Sequence, residues 1–519
     1  MKKTNQIILR RIVLIVLSFV FLFSASACVS TPSTSEGNTT DNPLNEKVSE
    51  LESQLKDAKE QIEKNKDEFE SKLQDAQNKI DELEGKLEDA TNVSHMYDFY
   101  ITLGTMPTLY ATLNAYTKKN PNTFMWFYRG NTISYDYSAP YITYFDNQSK
   151  TNDNSVIDYS LIRQKVKDIL EMDPEAKFHL YCDDLRVSFI PNIFVYAGVD
   201  FEDLQVTLLS DGTGTYSNFN KLTDSSYAAQ AKEWTNILNT YKEGRNDPDF
   251  EQLYKDDDQA MQLQYYAFYV STFSNVEYWI QSPEYLVTKS ATVENAKKDM
   301  HIIGKNPADM YKALDDRTRS TYQKAVLANA LVGSDTLKTL DDAAKYFNDM
   351  LSGRDKETVL ILGTNKKTLD ENKFYIDETL KFYTPTLSTT DKTKVIYKNK
   401  EYTIKEGDTS VTIDGKEMKI GELGVYLFFK GHPAHPADST LQNYFKEHGI
   451  TVLPHRTPVE TLFWMYEDVK VGGYQSTSFL SCVKGQTEFF YEDPTNEALV
   501  QMSEAGFFEG AAVFKAEQN

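Results

Sequence analysis

The chain has 519 residues, with 77 Asp and Glu against 55 Lys and Arg and a formal net charge of −22. That balance argues against a nucleic-acid binder, which needs a basic face to neutralise phosphates, and is otherwise the charge of a soluble surface. The 33 Tyr and 29 Phe suit large cores and sugar-binding clefts alike, and the length allows two or three domains once the non-core ends are set aside.

Residues 1–28 read as a secretion signal. Lys2, Lys3, Arg10 and Arg11 make a basic start, residues 12–23 an apolar run, and Ala25-Ser26-Ala27-Cys28 a small-residue cleavage site ending in Cys. The site resembles a bacterial lipobox. That implies lipidation of Cys28 and an exported chain, lipid-anchored to the cell membrane or cell surface; an uncleaved anchor is the alternative and has the same topology. Cys182 and Cys482 are then the remaining cysteines. They are too few for a disulfide framework and read as buried thiols, and no spacing resembles a zinc site. Residues 29–45, rich in Ser, Thr, Asn and Pro, are a flexible tether.

Residues 46–92 carry a helical pattern. Apolar residues run from Val48 through Leu51, Leu55, Ile62, Phe69, Leu73 and Ile80 to Ala90 in steps of three and four, with one extra step of four through Lys66. This is a heptad repeat with a stutter. At about 1.5 Å per residue it reaches roughly 65 Å. It reads as a spacer stalk or, because a lone helix with an apolar stripe seeks a partner, as a homo-oligomeric coiled coil; the second reading is preferred.

A first α/β unit is expected over residues 95–355. Strands are predicted at 99–103, 123–128, 177–181 and 204–209, with helical stretches at 108–116, at 160–171 and from Asp183-Asp184 toward Phe194. Such alternation argues for parallel α/β layers. The last of these strands ends in Ser210-Asp211-Gly212-Thr213-Gly214. Residues 226–350 read as mostly helical, without a chemical motif, and Gly353-Arg354-Asp355-Lys356 as a linker.

A second α/β unit is expected over residues 356–492. A strand at 358–362 enters Gly363-Thr364, residues 395–413 have hairpin character, and Asp414-Gly415 is a strong turn signal. The run Val425-Tyr426-Leu427-Phe428-Phe429 is a buried strand that delivers Lys430 and His432 onto a turn closed by Gly431 and Pro433. Open α/β sheets bind ligands at the carboxyl ends of their strands, and a cation beside an imidazole suits a phosphate. Taken alone, Gly-His-Pro is also ordinary turn chemistry. Helices are predicted at 441–448 and 458–466, a strand at 450–453, and the run Val471-Gly472-Gly473 leads to Ser476-Thr477. A terminal helix at 498–508 belongs to a segment, 493–519, expected to pack back on the first unit. Asp211, His432 and Ser476/Thr477 thus mark strand ends of two facing units, and a cleft between such units is a usual ligand site.

Over residues 97–519, Ser210-Asp211-Gly212, Lys430-Gly431-His432-Pro433 and Gly472-Gly473-Tyr474-Gln475-Ser476-Thr477 resemble, in order and spacing, the motifs of the bacterial sialyltransferases of glycosyltransferase family 80, the Pasteurella and Photobacterium type. The resemblance implies a GT-B fold, two Rossmann-like domains facing across a cleft, preceded here by the coiled-coil helix. It implies an inverting transfer of sialic acid from CMP-sialic acid to a hydroxyl of a galactose-type glycan, with no metal and no cofactor. On the matching positions, Asp211 is the implied general base and His432 the group that hydrogen-bonds or protonates the leaving phosphate. Ser476 and Thr477 would hold that phosphate, Glu460 the ribose hydroxyls, and Lys430, Gly431 and Pro433 the wall beside the cytosine. Gly363 and Thr364 would open the donor domain, while Asp184 and Arg129 would fall on the acceptor side.

The chemistry is consistent with those roles. One phosphate monoester leaves, so a histidine near neutral pKa can donate to it, and hydroxyls and backbone N–H groups can stabilise the rest of the charge. Base and acid come from different domains, which requires the cleft to close. The chain departs from the family pattern at Ser210 (an acid in the family), at Thr477 (a serine), at Asn365-Lys366-Lys367-Thr368, where a Trp is missing, and near Asp184, where a histidine is expected. Plainer readings exist for each residue: Asp211 as a turn residue, Glu460 in a helix first turn, Ser476 and Thr477 as a cap. A lipoprotein that binds glycan or nucleotide-sugar without turnover, or a transferase using another CMP-sugar, are the alternative functions.

Overall fold

The computed structural model of the chain describes residues 43–91, 95–127, 133–145, 159–187, 189–245, 266–332, 334–363, 366–432 and 436–515. The signal sequence with Cys28 and most of the tether lie outside them. The chain divides into two compact units, Met1–Asn92 and Val93–Asn519.

In the first unit, helix α1 (Pro43–Thr91) runs 49 residues. Its stripe is open to solvent: Leu51 and Ile62 are both 64 % exposed and Phe69 62 %. Among the described residues, no helix is long and apolar enough to cross a membrane.

The second unit is built on two parallel sheets. The first contains β1 (Met96–Thr102), β2 (Thr123–Phe127), β3 (Ile142–Tyr144), β4 (Lys177–Asp183), β5 (Gln205–Leu209), β6 (Val276–Ile280) and β7 (Ile302–Gly304), in the order β3-β2-β1-β4-β5-β6-β7. Every pairing is parallel, so all carboxyl ends share one edge. Both faces are covered, which is why the strands are runs of aromatic and β-branched residues rather than alternating ones. Helix α2 (Thr105–Lys118) follows β1 directly and is buried from Met106 to Tyr116. It stops where Lys119 turns left-handed (φ 52°) and its N–H reaches back to Ala115 O. The stretch 226–350, expected to be mostly helical, also holds β6 and β7. Val-Glu-Tyr-Trp-Ile of β6, stopped by Ser282-Pro283, has strand composition, but the many tyrosines around it blur the signal.

The second sheet contains β8 (Thr358–Leu362), β14 (Tyr426–Lys430), β15 (Thr451–Val452) and β16 (Lys470–Gly473), in the order β15-β14-β8-β16, again all parallel. The period of two is visible along β8. Leu360 and Leu362 join the large core shared with the first sheet, while Val359 and Ile361 join a second cluster with Phe382, Phe429 and Phe445. Bridges from Val471 to Thr487 and from Tyr474 to Tyr491 carry the sheet toward β17 (Phe489–Glu492), which pairs parallel with β18 (Ala512–Lys515). The interval after β8 is a helix over Leu369–Tyr383 with a capping box at Thr368 and Glu371.

Between that helix and β14 stands a small module of β9 (Thr386–Leu387), β10 (Lys394–Tyr397), β11 (Lys400–Thr403), β12 (Ser410–Ile413) and β13 (Lys416–Lys419). Its own core gathers Val395, Tyr397, Ile404, Val411 and Leu423. The final helix ends at Glu504, earlier than the 498–508 pattern suggests, because the chain turns into β18. That helix, Glu497–Glu504, packs on the helix that follows Asp211.

Candidate functional site

β5 ends at Leu209 and feeds Ser210-Asp211-Gly212 into the helix Thr213–Lys221. The turn is held from behind by buried hydroxyls. Gly212 N donates to Ser210 Oγ (3.2 Å), Ser210 Oγ donates to Thr215 Oγ1 (2.9 Å), and Thr215 Oγ1 donates to Asp184 Oδ2 (2.5 Å). Tyr278 OH, from β6, donates to the same oxygen at 2.5 Å. Ser210 is therefore a structural hydroxyl inside this relay. Asp184, read as an acceptor-side residue, is buried behind the cavity wall, where it anchors the turn. Burial pushes its carboxyl up to about 6, against the opposing pull of the Thr215 and Tyr278 hydroxyls.

Asp183, the last residue of β4, is buried beside it. Its Oδ2 accepts from Leu103 N (2.5 Å) and Gly104 N (3.2 Å), the peptide groups that link β1 to α2. Burial, and then the charge of Asp211, push the Asp183 carboxyl well above the usual carboxylate range. Gly104 is extended (φ −79°), so its lack of a side chain answers to space rather than to backbone strain: a Cβ there would run into Asp211 Oδ1.

The facing wall comes from the second sheet. β8 ends at Leu362, with Gly363 just beyond, and β14 ends in Lys430, with Gly431 and His432 just beyond. Lys430 is buried, and its Nζ donates to Gly431 O (2.9 Å) and His455 O (2.8 Å). Desolvation lowers its ammonium to about 8, opposed by the charge of Glu460. Glu460 lies in the first turn of the helix Val459–Met465, and its Oε1 accepts from Ser478 Oγ at 2.6 Å. After β16, Ser476 Oγ accepts from Ser478 N (3.3 Å) and caps the short turn Thr477–Ser481. The plain reading of Ser476 as a cap therefore also holds, alongside its place in the cavity.

The two walls touch. Thr213 Oγ1 and Thr477 Oγ1 are 3.0 Å apart and share a hydrogen bond. Gly212 (φ 79°) leaves room for Thr477: a Cβ there would run into the Thr477 methyl. One cavity of about 230 Å³ results, lined by Asp211, Gly363, Lys430, Gly431, His432, Glu460, Ser476 and Thr477 together with Gly104, Thr105, Met106, Leu362, Val459 and Ser478. Thr364, Pro433 and Arg129 lie outside the described residues. The reading of the sequence missed Gly104-Thr105-Met106 and Asp183. A strand end running through Gly104 into a helix was the available signal for the first, and an acidic pair at the end of β4 for the second.

No protein-family model matches the chain, and no curated protein sequence matches it. Solved structures do. An α/β-galactoside α-2,3-sialyltransferase from Photobacterium phosphoreum superposes with a TM-score of 0.53 at 13 % identity, over 81 % of this chain and 98 % of that one. A 2,6-sialyltransferase from Photobacterium sp. JT-ISH-224, solved in a ternary complex with CMP and lactose, gives 0.52 at 12 %, over 81 % and 78 %. Residues 113–497 of a Photobacterium damselae sialyltransferase, corresponding to its GT-B domain, give 0.51 at 14 %, over 81 % and 100 %. The fold of the second unit is accordingly that of these GT-B proteins, a mixed α/β architecture of two facing parallel sheets.

Proposed function

We propose that the chain is an inverting, CMP-sialic acid-dependent sialyltransferase acting on a hydroxyl of a galactose-type glycan. The observation that carries the reading is the gathering of Asp211, from one sheet, with Lys430, His432, Glu460, Ser476 and Thr477, from the other, around one cavity at the carboxyl ends of both. The GT-B fold and the CMP and lactose bound to a structural neighbour support it.

In the proposed reaction the acceptor hydroxyl attacks the anomeric carbon of sialic acid. Asp211 takes the hydroxyl proton as the new C–O bond forms. The bond from the anomeric carbon to the phosphate oxygen breaks on the opposite face, and its electron pair leaves with CMP. His432 donates to that phosphate, and the Ser476 and Thr477 hydroxyls share its charge. Lys430 adds a positive charge at the cavity wall, and Glu460 takes the ribose hydroxyls. The leaving group is a single phosphate monoester, so the route requires neither a divalent cation nor a cofactor. An assay with CMP-sialic acid and lactose, read by product mass, tests this: sialyl-lactose is expected. CMP binding without product from any acceptor would instead mark a non-catalytic nucleotide-sugar binder, and product only from a different CMP-sugar would change the donor.

The same proposal includes export with a lipid on Cys28, for which residues 1–28 are the observation. Intact mass of the membrane fraction should show a lipid-modified Cys28 as the first residue, and the Cys28→Ser chain should lack it. It also includes self-association through α1, whose exposed stripe is the support.

A further inference from the structure

The mechanism leaves the buried acid Asp183 unused. Asp183 is 2 % exposed, and its Oδ2 is engaged by Leu103 N and Gly104 N. Its Oδ1 has no hydrogen-bond partner among the described residues. The groups around it are the carboxyls of Asp211 and Asp184, the Cys182 thiol and the Tyr159 phenol. On the other side of the turn that Asp183 grips, the Asp211 carboxylate occupies the space a Gly104 side chain would fill. Asp183, the bare peptide of Gly104 and Asp211 are therefore stacked in that order, from the interior to the cavity.

We propose that Asp183 is the positioning residue of Asp211: it fixes the Leu103–Gly104 turn on which the Asp211 carboxylate rests. It acts as a neutral acid. Burial and the adjoining carboxyls both disfavour a charge on Asp183, so it grips the turn without setting a second negative charge beside Asp211. The inference rests on Asp211 being the base. It makes the end of β4, which lies outside the cavity lining, a support for the base.

Three variants test it: Asp183→Asn, Asp183→Ala and Gly104→Ala. Asn keeps an oxygen for both N–H groups and carries no charge, so kcat should stay within about 3-fold and the acidic limb of the pH profile should not move. Asp183→Ala frees the turn, and Gly104→Ala pushes the carboxylate away; each should lower kcat by about 100-fold, the order expected for a misplacement near 1 Å, and Asp183→Ala should do so with CMP affinity unchanged. An Asn variant as impaired as Ala, or a displaced acidic limb, would overturn the neutral positioning role. So would full activity in both Ala variants. Crystal structures of the variants separate this from the functional reading. If the wild-type chain transfers nothing, that reading fails. The Asp211 carboxylate should still shift in Asp183→Ala and Gly104→Ala but not in Asp183→Asn, and an unmoved carboxylate would sink the inference itself.

Discussion

Lys430 holds its charge while almost wholly buried. Two carbonyls accept from it, Glu460 stands nearby, and desolvation still lowers the ammonium to about 8. The sign follows from linkage. Above about pH 8 the folded chain has released this proton while the unfolded chain keeps it up to roughly 10.4, so folding gains stability as pH rises through that window. Donor binding runs the other way, because the charge that favours a phosphate is present only below it. CMP affinity measured by calorimetry should therefore fall as pH rises through about 8, and Lys430→Met should abolish that dependence while weakening binding at pH 7. A wild-type affinity flat from pH 7 to 9 would remove Lys430 from the donor site. At this scale the sequence was most informative where motif and strand end coincide, as at Lys430-Gly431-His432. It was silent on Asp183, whose proposed part depends on a contact with the β1–α2 turn about 80 residues away.

Among the elements, those with a local signature were legible. Asp414-Gly415 turns the β12–β13 hairpin with φ of 49° and 80°, the left-handed pair that such a dipeptide favours. The edge strand β3, of three residues, and β17 and β18, which pair over long separations, lack such a signature. Helix α1 was legible through its heptads, and its exposed stripe bears on association. Beyond the stutter, Lys72, Lys79 and Lys86 fall at g positions and Glu70, Gln77 and Glu84 at e. A parallel pair sets Lys79 of one copy against Glu84 of the other, whereas an antiparallel pair sets lysine against lysine. The full chain should sediment as a parallel oligomer, and Leu55→Glu combined with Leu73→Glu should reduce it to monomer mass without changing CMP affinity. A wild-type chain already monomeric at micromolar concentration would leave α1 as a spacer.

At the level of the whole second unit, the two sheets share one hydrophobic core and point their carboxyl ends at the same cavity. The order of the motifs carried that arrangement in the sequence; the direct contact of Thr213 with Thr477 did not, since it depends on how the sheets are set against each other. A base on one sheet and a phosphate-binding set on the other are proposed to act on the two reactants of one transfer, the acceptor hydroxyl and the donor phosphate. The most direct measurement is transfer from CMP-sialic acid to lactose by the wild-type chain, Asp211→Ala and His432→Ala, with CMP affinity determined on the same preparations. Product is expected from wild type, with a loss of about 100-fold or more in each variant and CMP affinity retained in Asp211→Ala. Wild-type rates in both variants would contradict it.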